Sequence, residues 1–336
     1  MAGNVRVGVV GAGYWGKNLL RNFHALGALA AFCDSDLGVR SRMAGLYPEA
    51  MVYDDVDGLM ESDDIEGVVI STPAVTHGSL VQKALSAGKH IFVEKPLCLD
   101  VKQGEDLTCQ ATECGLTLMI GHLLLYHPAF RAVSDLVASE KIGQLRYIYS
   151  NRLNLGMVRR EENALWSFAP HDISMILSLT GCMPKRILAT GGHYLSKDVA
   201  DTTLSHLSFP NDVQAHIFVS WLHPYKDQRL VVVGDNAMVA FDDVLEGPNK
   251  VLLYPHSVEF EDGLPRVSKA ESEPVPYDVT EPLRVECQVF LDSISNGHRP
   301  PSDAHEGLRV LRVLNACQQS IASGAAVTIG GKCSSG

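Results

Sequence analysis

Apolar and polar positions follow two periods along the first third of the chain. Short apolar runs at 5–10, 28–33, 67–71, 90–94 and 117–121, with a weaker one at Val52 and Tyr53, read as strands. Between them apolar residues recur at helical spacing, at 15–26, 37–46, 76–87 and 100–115, and Gly88 and Gly115 close the last two. Strands that are apolar throughout are covered on both faces, and strands separated by helices of this length build βαβ units. The prediction is a parallel, doubly wound sheet with right-handed crossovers.

The pattern changes near Tyr126. A helix at 128–139 leads into a long strand-like stretch at 145–155, and another helix is expected from about Pro170 to Leu179. Strand-like runs then follow with little helix between them, at 186–195, 202–209, 213–221, 228–233, 238–241 and 250–254. Two helices, 281–295 and 304–323, flank the breaker Gly297-His298-Arg299-Pro300-Pro301. The expected organisation is an α/β domain at 1–122 and an α+β domain at 123–336 with a large, mostly antiparallel open sheet. The last helix is free to pack back on the first domain. Residues 271–276 are expected to form a mobile loop. The run at 213–221 puts Ile217, Val219 and Trp221 on one side, an apolar face that needs a cover. A second copy packed sheet to sheet predicts a homodimer or homotetramer, whereas a cover from the chain's own helices would leave a monomer.

Composition narrows the class. Of 336 residues, 46% are apolar and 20% charged, an ordinary globular balance for about two domains. Asp and Glu number 39 against 28 Lys and Arg, a net charge of −11 that argues against a nucleic-acid or anionic-membrane partner. An anionic ligand must then meet a local positive site. No apolar run nears the ~18 residues of a membrane helix. The opening residues run straight into a glycine loop with no room for a secretory leader, so a cytoplasmic protein is expected. The eight cysteines (Cys33, Cys98, Cys109, Cys114, Cys182, Cys287, Cys317 and Cys333) show no CxxC pair and no metal-type spacing. They read as reduced, mostly buried thiols, and no metal is expected.

Gly11, Gly13 and Gly16 form the pattern GxGxxG. Alone the pattern is weak. Here it follows a strand, opens a helix, and precedes Asp34 at the end of the next strand, the dinucleotide fingerprint of an α/β Rossmann domain, with Tyr14 and Trp15 of the loop also expected in the cofactor site. Gly11 allows the tight turn, Gly13 lets the backbone approach a pyrophosphate, and Gly16 brings the helix close to the sheet. Asp34 would accept from ribose hydroxyls and repel a 2′-phosphate, which favours NAD over NADP. Ser35 and Arg40 nearby leave room for NADP.

Two motifs follow at the ends of later strands, where open α/β sheets bind ligands. One is Ser71-Thr72-Pro73-Ala74-Val75-Thr76-His77; the other is Glu94-Lys95-Pro96. With the glycine loop they resemble the Gfo/Idh/MocA oxidoreductases, and the resemblance covers essentially the whole chain. It implies that Ser71, Thr72, Pro73, His77, Glu94, Lys95 and Pro96 join the cofactor site, often with a cis bond before the proline. It gives Lys95 contact with both the nicotinamide ribose and the reacting hydroxyl. A second signature, Trp166-Ser167-Phe168-Ala169-Pro170-His171-Asp172, matches the family's catalytic histidine at His171. Many members carry an aspartate where this chain has Ser167, which shifts proton transfer onto His171 and Lys95. Without the resemblance, His171 would read as a helix-start histidine and Lys95 as half of a surface ion pair.

Oxidising a secondary alcohol moves a hydride to the nicotinamide and a proton to a base. An imidazole, with an ordinary pKa of about 6.5, suits the proton, and a lysine ammonium suits the developing alkoxide. The two residues come from different domains, so the reacting carbon is expected in a cleft between them. Just ahead of the histidine, Arg152, Asn154, Arg159, Arg160, Asn163 and Trp166 concentrate cations and amides in an acidic chain. With Asp172 they are the candidate substrate contacts, since arginine forks suit phosphate and amides suit sugar hydroxyls. A solvated strand and loop is the plain alternative. The stretch resembles the family branch acting on nucleotide-linked sugars. It implies oxidation of the 3-hydroxyl of UDP-N-acetylglucosamine, with the 3-keto product passed to a sugar aminotransferase, as in lipopolysaccharide lipid A biosynthesis. A UDP-sugar uronic acid, a 3-keto deoxysugar to be reduced, and a free sugar or inositol remain open as substrates. A nucleotide-binding sensor without catalysis is the rival outside enzymes.

Overall fold

The computed structural model describes residues 5–330 and divides into two compact units. One runs to Tyr126 and takes back Thr280–Leu311; the other is His127–Val279 with the stretch from Arg312.

The first unit is built on strands β1 (Val7–Val10), β2 (Leu29–Cys33), β3 (Met51–Tyr53), β4 (Gly67–Ile70), β5 (His90–Glu94) and β6 (Leu118–Gly121), in the order β3-β2-β1-β4-β5-β6. Every pairing between neighbours is parallel. Helices α1 (Gly16–Ala25), α2 (Leu37–Leu46), α3 (Val56–Glu61), α4 (His77–Ser86) and α5 (Val101–Glu113) connect them. β1 and β4 are buried along their whole length, as their unbroken apolar sequence requires. The strand order reverses between β1 and β4, which opens a crevice at the C-terminal strand ends. Only the six-residue α3 was not expected among these elements.

The second unit opens with α6 (Pro128–Ala138), β7 (Leu145–Leu153) and α7 (Ala164–Thr180). β8 (Arg186–Gly192), β9 (Thr202–Ser208), β10 (Gln214–Ser220), β11 (Asp227–Gly234), β12 (Met238–Asp242) and β13 (Val251–Tyr254) follow. Then come a separate hairpin, β14 (Ser257–Glu261) with β15 (Leu264–Ser268), and the short β16 (Glu273–Pro274). The last elements are α8 (Pro282–Asn296), α9 (Ala304–Ser323) and β17 (Val327–Thr328). The sheet order is β16-β13-β12-β11-β7-β10-β9-β8-β17, antiparallel except for the β7–β10 pair. The fold is thus a Rossmann domain plus a large, mostly antiparallel open sheet.

Four expectations change. α8 and the first part of α9 belong with the first unit, not with the second. There Phe290 of α8 lies 5.8 Å from Phe92 of β5 and 6.3 Å from Phe23 of α1. The edge strand β6 is bonded by Ser302, through Ile120 N to Ser302 O at 2.8 Å and Ser302 Oγ to Ile120 O at 2.6 Å. α7 begins at Ala164 rather than near Pro170, because the Asn163 side chain caps it by accepting from Trp166 N at 3.2 Å. Residues 271–276 contain β16, paired with β13, rather than only a loop. Ile217, Val219 and Trp221 face α7 and are buried, so they are not the uncovered side of the sheet. The opposite face carries Tyr147, Tyr149, His216 and Phe218, all half-buried.

Cys33, Cys98, Cys182, Cys287 and Cys317 are buried free thiols, while Cys109 and Cys114 are exposed; Cys333 lies outside the described residues. Among the described residues no helix is long and apolar enough to cross a membrane, and no group of three or more His, Cys, Asp or Glu could hold a metal.

Candidate active site

The glycine loop leaves β1 at Gly11, whose φ of +89° only glycine adopts readily and whose Cβ would sit 2.9 Å from Ser71 O. At Gly16 a Cβ would fall 1.9 Å from Gly11 O, so α1 could not start this close to β1 with any side chain. Gly13 is different: a Cβ there meets nothing within 4 Å. Its backbone borders open space at the start of α1, a helix with no acidic residue in its first turn. That is a cradle for a pyrophosphate, and the residues fit a dinucleotide.

Asp34 directly follows β2 and steadies the same loop. Its Oδ2 accepts from Ala12 N at 2.7 Å and its Oδ1 from Asp36 N at 2.9 Å. Arg40 Nη1 donates to Asp34 O at 2.6 Å. Ser71, past β4, donates its Oγ to Gly11 O at 2.6 Å. His77 is 1% exposed, with Nδ1 2.7 Å from Pro96 O and Nε2 2.9 Å from Thr72 O. Expected in the cofactor site, it braces the Ser71–Pro73 turn against the Glu94-Lys95-Pro96 turn. The Lys95–Pro96 peptide is cis. Glu94 accepts from the Trp15 indole, so Trp15 ties the glycine loop to the same turn. Burial pushes the Glu94 carboxyl up to about 7, against the opposing pull of the Trp15 bond, Lys95 and His122.

In the second unit α7 carries His171, with Ser174 Oγ donating to His171 O at 2.8 Å. Ser167, one turn earlier on α7, is 5% exposed. The next residue after the histidine, Asp172, is fully buried. It accepts from Arg152 Nε at 2.9 Å, Arg152 Nη2 at 3.3 Å and Ser150 Oγ at 2.5 Å, both partners on β7. Burial works against the Arg152 charge, but the Asp172 carboxylate outweighs it and raises the guanidinium pKa. Arg152 and Asp172 were expected to touch substrate. Asp172 takes bonds from both Arg152 and Ser150, and these tie the histidine helix to β7.

Asn163 and Trp166 are also anchored. Asn163 Nδ2 and Trp166 Nε1 donate to Gln318 Oε1 on α9 at 2.8 and 3.3 Å. Arg159 pairs with Glu162 at 3.0 Å, Arg160 is exposed, and the buried Asn154 Oδ1 has no hydrogen-bond partner among the described residues. Asn154, Arg159 and Arg160 are therefore the substrate candidates whose groups can still reach a ligand. Gln318 was missed, because a glutamine on a long amphipathic helix reads as solvated surface.

The fold and the cradle define an NAD-dependent oxidoreductase. The chain belongs to the Gfo/Idh/MocA family: the oxidoreductase family with an NAD-binding Rossmann fold matches residues 5–122, and the GFO/IDH/MocA C-terminal domain matches residues 130–240. It is similar to UDP-N-acetylglucosamine 3-dehydrogenase of Acidithiobacillus ferrooxidans, 27% identical over 92% of this chain and 94% of that one. It is also similar to inositol 2-dehydrogenase of Rhizobium meliloti, 26% identical over 97% and 99%. A solved structure of the Acidithiobacillus enzyme superposes with a TM-score of 0.83 at 25% identity, over 95% of this chain and 97% of that one.

Proposed function

We propose that the protein oxidises the 3-hydroxyl of UDP-N-acetylglucosamine with NAD and leaves a 3-keto sugar for an aminotransferase. The observation that carries the reading is the likeness to the 3-dehydrogenase along 92% of the chain. NAD accepts the hydride when bound. His171 takes the hydroxyl proton, and the Lys95 ammonium holds the oxygen as its negative charge develops. Ser167, in place of an aspartate, leaves His171 without a carboxylate at that position. Arg159 and Arg160 meet the diphosphate, and Asn154 meets the sugar. The glycine loop and Asp34 hold the dinucleotide, with Asp34 selecting NAD over NADP. The likeness to inositol 2-dehydrogenase supports a second reading, a free polyol as substrate.

Absorbance of reduced nicotinamide decides between them. The protein is mixed with NAD and UDP-N-acetylglucosamine, and glutamate with a sugar aminotransferase draws off the keto product. Parallel wells hold NADP, the uronic-acid analogue, free N-acetylglucosamine and inositol. Signal confined to the UDP-hexosamine supports the proposal; signal with free sugar or inositol, or none with any UDP-sugar, overturns it. Lys95→Ala and His171→Ala should each lower kcat about 10²–10⁴-fold with the fold intact.

A further inference from the structure

On the face of the second unit's sheet that meets α7, the side chains change character along β7 and β11. Ile148 and Val232, paired across the two strands, are 0% exposed. Ser150 with Leu230, then Arg152 with Gln228, follow on the same face in the same register. Ser150 and Arg152 both bond Asp172, so this is the face against α7. It turns from apolar to polar toward the end of β7 that runs into the segment ahead of His171. The charges there are already matched. Arg152 is held by Asp172 at 2.9 Å. On the other side of Gln228, Asp243 N donates to Gln228 O at 2.8 Å, and the Asp243 carboxylate meets Lys250 Nζ at 3.1 Å and His127 Nε2 at 3.6 Å. His127 caps α6. Gln228 therefore sits between two ion pairs, one fixed to α7 and the other lying at the start of α6. It is half-buried, and it bonds Asp243 through its backbone, which leaves its side-chain amide for a ligand. Asn154 follows Arg152 on the same face, since Asn154 N donates to Ser220 O at 3.1 Å and carries the strand on past Leu153. Its amide lies over Gly156, where a Cβ would come 2.7 Å from Oδ1.

We propose that Gln228, with Asn154 on the same face, recognises the acetamido group of the sugar. This rests on the reading of the substrate as a UDP-linked N-acetylhexosamine oxidised at His171, and it adds what selects that sugar over a plain hexose or a uronic acid. Gln228 is one cross-strand step, about 5 Å, from Arg152, and the partner of Arg152 is the residue that follows His171. That places the amide beside the carbon next to the one that reacts, where an N-acetylhexosamine carries its acetamido group. An acetamide has one N–H donor and one carbonyl acceptor, and a side-chain amide supplies the complement of both. The flanking ion pairs cancel their own charge, so the trough between α6 and α7 presents amides and no spare cation at this point. That suits a neutral group and not a carboxylate, which needs a cation or a charge-assisted bond. A plain hexose, with a hydroxyl in place of the acetamide, leaves part of the amide's bonding unmet.

Calorimetry on the full-length protein with NADH bound, where neither sugar can be oxidised, tests this with UDP-N-acetylglucosamine and UDP-glucose. Wild type should prefer the first. Gln228→Met, which keeps the length of the side chain and removes the amide, should cut that preference about tenfold. Gln228→Glu, which keeps the shape and loses the donor, should cut it in the same direction, so the outcome does not depend on one variant folding. A packing role would weaken both sugars alike and leave the preference in place. A wild type without the preference, or a preference that survives both variants, overturns the inference and leaves a UDP-sugar substrate standing. A wild type that binds neither UDP-sugar overturns that reading as well, so the two failures are told apart.

Discussion

Two glycines of one loop separate folding from binding. Gly16→Ala drives a Cβ to 1.9 Å from Gly11 O, and backbone must shift to admit it. The expected loss is about 3 kcal/mol or more, read by chemical denaturation. Gly13→Ala meets nothing within 4 Å, so the melting temperature should hold. The added methyl should instead enter the pyrophosphate's space and weaken NAD binding about tenfold by calorimetry. Unchanged affinity in Gly13→Ala would place the dinucleotide elsewhere. Glu94 makes a pH prediction. Its folded pKa of about 7 lies above the ordinary carboxylate value of 4.5, so the folded state holds the extra proton. The stability it contributes is fully present below about 4.5 and is lost as pH rises through about 7, roughly 3 kcal/mol in all. Melting curves at pH 5 and pH 8 should differ less in Glu94→Gln than in wild type; an equal difference would mean Glu94 does not titrate there. None of this titration was legible in the sequence. The motif names Glu94, but its bond to the Trp15 indole of the glycine loop depends on tertiary packing that spacing does not encode.

At the scale of elements, α7 shows where apolar periodicity stops marking boundaries. The strand and helix runs of the first unit were legible because apolar periodicity records burial directly. The start of α7 was not, because Pro170 resembles a first-turn proline and the true cap, Asn163, sits in a polar stretch with no apolar rhythm. The hairpin β14–β15 was missed for a related reason: its strands are exposed along their length, so neither face carries a burial signal. The segment from Arg152 to Trp166 shows its cations and amides in the sequence. Its internal commitments, Arg152 to Asp172 and Asn163 to Gln318, depend on tertiary pairing that spacing does not encode. Arg152→Ala would strand the buried Asp172 carboxylate and should destabilise the protein by about 3–5 kcal/mol. Asn163→Ala removes the cap and the bond to Gln318 and should lose about 1–2 kcal/mol. Equal losses in the two variants would mean that the buried pair does not hold α7.

For the whole molecule, the sheet of the second unit poses the remaining question. An amphipathic face that needs a cover was anticipated, but on the wrong side, because period two shows that two faces differ and not which one the chain's own helix takes. α7 takes the side of Ile217, Val219 and Trp221. The other side brings His216 beside Tyr149, stacked at 5.4 Å, with Phe218 two residues on. Burial lowers the His216 pKa, with His206 adding to the effect, so this histidine is neutral near pH 7. An aromatic sheet face whose Arg229 is paired with Asp242 at 2.9 Å suits a matching face across a two-fold axis. The expected state in light scattering is therefore a dimer or tetramer of the 36.5 kDa chain. Phe218→Asp, which buries a charge only if that face is covered, should shift it toward monomer while each chain stays folded. Protonating His216 below its lowered pKa should act in the same direction, so association should weaken as pH falls from 7 toward 5. A monomeric wild type at neutral pH, or an oligomer indifferent to Phe218→Asp, would show that this face is not where the copies meet.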